Sequence, residues 1–372
     1  MSSHANGLPH HPPRGILYAG MDVTEQRIMS SAESALTLIH LCLFPNFWRR
    51  SAMNRSAAFI LMCAGAASGA LAASGQEPSD DKIETREVVI WSDGTRMRGD
   101  LYLPKERDAA AKLPAVIYCS GTAGTRTGAA RFSMLCAAQG FAVLGFDYRG
   151  WGTSDSKLMA LDPQPKPDEK GEMTVRVRAL RWQMNYADQT EDIRAAISFM
   201  AKEPSVDPGR IGIFGTSFGG GLVTWVAGND PRVKCVVAQV PGMGGGRPAD
   251  AYRLHEQQAH GETEPVPYET GKFSGKMARY DQMRVNPARS IGFSCFEAAE
   301  KISAPALIVD AGKEDLFDIK KNGGRVAEIL EGRKVPVKYH VVPGIDHYGV
   351  YREAFADVTK MEIDWFAAYL KK

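Results

Sequence analysis

The chain has 372 residues, 44% hydrophobic and 24% charged, with a formal net charge of +2. This is globular composition with apolar residues enough for a sizeable core, which sets aside a disordered or fibrous chain. The charge is nearly balanced and no Lys/Arg cluster is interleaved with aromatics, so nothing points to a nucleic-acid partner.

Residues 1–52 carry His10-His11-Pro12-Pro13 in a scattered polar composition that suggests no fold. Their one apolar stretch, 35–48, is broken by His40 and Pro45 and is too short to span a membrane. Met53-Asn54-Arg55 then gives a short basic start, 57–71 an apolar centre rich in Ala and Leu, and Ala70-Leu71-Ala72 a small-residue processing site. That is the pattern of a secretory signal peptide. The expectation is therefore an over-extended start at 1–52, a signal peptide at 53–72 and an exported domain at 73–372, periplasmic or secreted and without stable membrane insertion. Arg49-Arg50 matches a twin-arginine signal poorly, and Met62 stands where a lipoprotein site before Cys63 needs a small residue.

After a polar linker, 85–91 and 97–103 read as a hairpin around Ser92-Asp93-Gly94. Short apolar runs at 114–118, 142–146, 211–214, 235–240, 306–309 and 337–342 read as further strands. Helical patterns separate most of them, the clearest at 188–201, where Ile193, Ala196, Ile197 and Met200 recur at helical spacing. The fold class is α/β, a mainly parallel sheet flanked by helices. Two irregular segments, 157–182 and 241–304, interrupt the alternation and are expected to be cap or lid inserts that choose the substrate. Cys119 and Cys235 fall in or at the end of strands as small hydrophobes, and no cysteine spacing announces a disulfide framework. No His/Cys/Glu spacing gives a metal site, and no cofactor is expected.

The sharpest signal is Gly215-Thr216-Ser217-Phe218-Gly219-Gly220, directly after the apolar run 211–214. Glycines on both sides of one serine permit a tight strand-to-helix turn that exposes the hydroxyl at a helix N-terminus, where a developing oxyanion is favoured. Serine hydrolysis of this kind needs an acid and then a histidine further along the chain. The loop Asp310-Ala311-Gly312-Lys313-Glu314-Asp315 follows one strand, and Pro343-Gly344-Ile345-Asp346-His347 follows the last. Both lie at the carboxyl edge, where open α/β sheets hold ligands.

From about residue 87 onward the chain resembles the α/β-hydrolase superfamily, on this elbow, on Asp147-Tyr148-Arg149-Gly150-Trp151-Gly152-Thr153-Ser154 and on Gly312-x-x-Asp315. The resemblance is to its dienelactone-hydrolase-like and X-Pro-dipeptidyl-peptidase-like branches. It implies Ser217 as nucleophile, His347 as general base and acid, and Asp315 as the residue orienting His347. Asp310, Glu314 and Asp318 lie close enough to compete for that role, whereas Asp346 adjoins the histidine and should diverge from it. The oxyanion donors are expected at the backbone N–H of Phe218 and of Thr122, with Ala123 as runner-up; Ser120-Gly121 stands where many members have His-Gly. Asp147 and Arg149 are expected to support the fold. Tyr148, Trp151, Phe273 and Tyr280 are candidates to contact substrate. The expected activity is cofactor-free cleavage of a small carboxylic ester or thioester through an acyl-enzyme, with small-peptide cleavage of the X-Pro type and acyl transfer as alternatives.

Overall fold

In the computed structural model, residues 80–108, 110–244, 248–267 and 280–372 are described. The signal-peptide pattern, the segment before it and Phe273 lie outside these residues. The first element pair is a hairpin, β1 (Ile83–Ser92) and β2 (Thr95–Pro104), closed by Asp93-Gly94. Both turn residues have positive φ, 45° and 72°, as a two-residue turn matching the strand twist requires.

The chain continues through β3 (Leu113–Cys119), α1 (Arg126–Ala138), β4 (Ala142–Phe146), α2 (Tyr186–Lys202), β5 (Val206–Thr216), α3 (Phe218–Asn229) and β6 (Val233–Gln239). It ends with α4 (Pro248–His260), α5 (Cys295–Ala299), β7 (Ala306–Ala311), α6 (Gly323–Gly332), β8 (Val337–Val342) and α7 (Phe355–Leu370). Eight strands form one sheet in the order β1-β2-β4-β3-β5-β6-β7-β8. Only the β1–β2 and β2–β4 pairings are antiparallel.

Because both sheet faces are covered, the strands read as nearly continuous apolar runs, and alternate residues serve opposite layers. Ile117, Ile211 and Ile213 pack with Ile193 and Ile197 of α2 and Leu222 and Val226 of α3. Val116, Tyr118 and Phe214 pack with Phe132 of α1 and Phe366 of α7. The α2 helix starts where Asn185 accepts a hydrogen bond from the Asp188 N–H. One boundary differs from the sequence reading: 206–210 join β5, since the β3–β5 register shifts between Leu113 and Ala115 and absorbs Pro208-Gly209 without ending the strand.

Four described cysteines, Cys119, Cys136, Cys235 and Cys295, are buried free thiols. Burial pushes the pKa of each upward. The two inserts carry small pieces of regular structure. Leu158–Ala160 pairs with Val177–Ala179 within the first, and Gln183–Met184, directly after it, pairs with Arg284–Val285 of the second. Among the described residues no helix is long and apolar enough to cross a membrane.

Candidate active site

Ser217 sits between β5 and α3 with φ 53°. A non-glycine residue there costs on the order of 1–3 kcal/mol and persists only where its surroundings hold it. Its N–H donates to the Gln239 carbonyl at 2.8 Å, and its carbonyl accepts from the N–H groups of Gly220 and Gly242 at 2.9 and 3.0 Å. The flanking glycines are required by contact. A Cβ on Gly215 would lie 2.3 Å from the Gly219 carbonyl oxygen, and one on Gly219 would lie 2.2 Å from that of Cys119.

His347 is buried in the turn after β8. Its Nε2 lies 3.0 Å from Ser217 Oγ, and its Nδ1 lies 2.8 Å from Glu314 Oε2. The carboxylate on the histidine is thus Glu314, whereas the sequence reading had chosen Asp315. Three backbone bonds wind the acid loop: Gly312 N–H to Val342 O, Lys313 N–H to Ile345 O and Glu314 N–H to Ala311 O. This winding turns Glu314 inward and leaves the next residue, Asp315, exposed. The other Glu314 oxygen accepts from the N–H groups of Asp315 and Leu316 at 3.1 and 3.0 Å, which fixes the carboxylate. The ring of His347 is bracketed edge-on by Phe317 and Tyr348, at 5.4 and 5.1 Å between centroids.

The rival acids have other duties. Asp310 is fully buried and accepts from the Tyr339 hydroxyl at 2.9 Å; burial pushes its carboxyl up to about 7. Asp318 accepts from the Lys320 N–H, and Asp346 accepts from the Tyr348 N–H and from Arg352.

Phe218 is the first residue of α3, so its N–H has no intrahelical acceptor. Thr122 stands in the loop after β3 and lines the pocket with Ser217, and Gly121 before it approaches that serine closely: a Cβ there would be 3.1 Å from that of Ser217. A pocket of about 250 Å³ opens here, lined among others by Ser217, His347, Thr122, Tyr280, Tyr348 and Tyr351. Apart from His347, no described residue lining it is an acid, a lysine or an arginine.

Tyr280 therefore faces the pocket as anticipated, whereas Tyr148 and Trp151 do not. Both are fully buried. The bend at Gly150 and Gly152 folds them under: Trp151 donates through Nε1 to the Gln183 carbonyl at 2.7 Å and stacks on Phe218 at 6.2 Å. Asp147 accepts from the N–H groups of Arg126 and Thr153, and Arg149 is bound by Asp192 and Ser92, so both brace this loop. Tyr348 and Tyr351 were missed by sequence reasoning, although their place one and four residues after His347 could have put them beside it. Among the described residues no cluster of three or more His, Cys, Asp or Glu could hold a metal ion.

The sheet order, the serine at the β5–α3 turn and the histidine after β8 define a serine hydrolase of the α/β-hydrolase fold. The chain belongs to the prolyl oligopeptidase family, whose profile matches residues 178–372, just over half of it. The acetyl xylan esterase (AXE1) profile matches residues 80–248. An uncharacterized 31.7 kDa protein of the traX-finO intergenic region of Escherichia coli is 27% identical over 289 residues, covering 70% of this chain and 92% of its own. Among solved structures, DcsB in complex with its substrate analogue superposes with a TM-score of 0.59 at 16% identity, covering 78% of this chain and 100% of that one. Acetyl xylan esterase from Paenibacillus sp. R4 does so with 0.51 at 21%, covering 79% and 87%. These structures share the fold.

Proposed function

We propose that this protein cleaves a small carboxylic ester or thioester through an acyl-enzyme on Ser217. The observation that carries the reading is the unbroken relay from Ser217 Oγ to His347 Nε2 and from His347 Nδ1 to Glu314 Oε2. A serine hydroxyl becomes an adequate nucleophile when an imidazole takes its proton during attack. Glu314 holds the tautomer in which Nδ1 carries the proton and Nε2 is free to accept, and it stabilises the imidazolium that forms. The tetrahedral oxyanion would be met by the N–H groups of Phe218 and Thr122. His347 then returns its proton to the leaving alcohol or thiol, and water attacks the acyl-enzyme by the same route in reverse.

The small pocket without ionised lining among the described residues supports a neutral substrate, and the match to acetyl xylan esterases supports an ester. The prolyl oligopeptidase match favours a second reading, cleavage of a small peptide. Labelling by a fluorophosphonate probe, followed by kcat/KM on p-nitrophenyl acetate to octanoate and on aminoacyl and dipeptidyl p-nitroanilides, separates the two. Labelling at Ser217 with turnover of short-chain esters is expected. Turnover confined to the anilides would replace the ester reading by the peptidase one, and unlabelled folded protein would remove both. Added alcohols or amines that divert the product would reveal acyl transfer.

A further inference from the structure

A chain of buried polar side chains runs from the last helix to the wall of the catalytic pocket. Glu362 of α7, wholly buried, accepts from Gln239 Nε2 at 2.9 Å. Gln239 Oε1 accepts from Thr216 Oγ1 at 2.8 Å, and Thr216 is also 2.5 Å from the Tyr351 hydroxyl. Thr216 immediately precedes the nucleophile, and both Thr216 and Tyr351 line the pocket with Ser217 and His347.

Hydroxyl groups have one proton each, so the orientation of the Gln239 amide sets the polarity of this chain. Gln239 presents its amide N–H to Glu362 and hence its oxygen to Thr216. The Thr216 proton is spent on that oxygen, and the contact with Tyr351 requires the phenol to donate. Burial pushes the Tyr351 pKa upward, which keeps that proton in place. Burial also pushes Glu362 well above the usual carboxylate range; with Gln239 Nε2 directed at it, the carbonyl oxygen of the neutral acid still accepts, whereas a reversed amide would let the acid donate and would turn every bond of the chain around.

We propose that Tyr351 presents only lone pairs to the pocket, and that the preferred substrate therefore carries an O–H or N–H donor close to the scissile carbonyl. Thr216, Gln239 and Glu362 are positioning residues for this specificity. The assignment rests on ester cleavage at Ser217 and names the class of ester.

The test is a set of kcat/KM values for 4-methylumbelliferyl butyrate, 3-hydroxybutyrate and 3-oxobutyrate, with ethyl and 2-hydroxyethyl butyrate placing the donor on the alcohol side. The wild type should favour the hydroxylated ester by about tenfold or more in at least one of the two series. Tyr351→Phe should cut that ratio to about threefold or less. Thr216→Val releases the phenolic proton, so the preference should move from the 3-hydroxy toward the 3-oxo ester by several-fold, with fluorophosphonate labelling checking that the elbow is intact. Glu362→Gln still offers an accepting oxygen to Gln239 and should keep the wild-type ratio. Turnover of plain butyrate without donor preference in either series, or a preference that survives Tyr351→Phe, overturns the Tyr351 assignment alone. Failure to turn over any ester overturns the ester reading and this inference with it.

Discussion

The elbow at 215–220 and the acid loop at 310–318 serve one site but are specified by different physics. In the elbow, side chains are excluded: a Cβ at Gly215 or Gly219 would fall within 2.3 Å of a backbone atom. In the acid loop, four carboxylates compete, and three backbone hydrogen bonds to Val342, Ile345 and Ala311 choose among them. Exclusion writes itself into the sequence as glycine. Rotation of a loop against a neighbouring strand leaves no residue type behind.

Ser217→Ala should produce the largest effect, lowering kcat by about 10⁴-fold or more, because without the nucleophile only binding and the oxyanion donors remain. Steady-state kinetics on a short-chain ester measures it, and a loss below tenfold would remove Ser217 from the chemistry. Glu314→Gln should lower kcat by about 10³- to 10⁴-fold, since an amide can hold the wrong histidine tautomer, whereas Asp315→Asn should stay within about threefold. The reverse pattern would restore Asp315 and undo the contrast between the two loops.

Gly219→Ala should destabilise the fold by about 3 kcal/mol, because the clash is with the Cys119 backbone and cannot be relieved by a side-chain rotation. Denaturant unfolding that showed no change in midpoint would mean the elbow is looser than these distances imply.

The smallest effect concerns Asp310, whose carboxyl is pushed up to about 7, chiefly by burial, with the hydrogen bond from Tyr339 opposing and the nearby Glu314 charge adding. A raised folded-state pKa means the folded form holds the proton more tightly than the unfolded one. Its contribution to stability is therefore full below about pH 4 and is lost as pH rises toward 7. Between pH 5 and pH 8 the wild type should lose on the order of 1–2 kcal/mol that Asp310→Asn does not. Parallel pH–stability curves for the two proteins would show that Asp310 is already charged when folded.

What could be read beforehand follows the same division. The two-residue hairpin, the buried strands and the serine turn were legible because Asp93-Gly94, continuous apolar runs and Gly215/Gly219 each answer a local demand. His347 was legible because it closes the last strand at the carboxyl edge. Glu314 was not, since only the finished loop distinguishes it from Asp315. Tyr148 and Trp151 looked like pocket residues from their aromatic character in a functional loop, yet the bend at Gly150 and Gly152 turns them into packing beneath Phe218. Tyr351 needed Gln239 and Glu362, far away in the chain, before its hydroxyl acquired a direction.

The four sealed thiols have a practical consequence. Cys119 and Cys295 belong to one core layer and Cys136 and Cys235 to the other. An alkylating reagent can reach any of them only when its layer parts, and only the thiolate reacts. The order in which the four are modified, read by peptide mass, is therefore a built-in clock for how the protein comes apart, with one pair of hands for each side of the sheet.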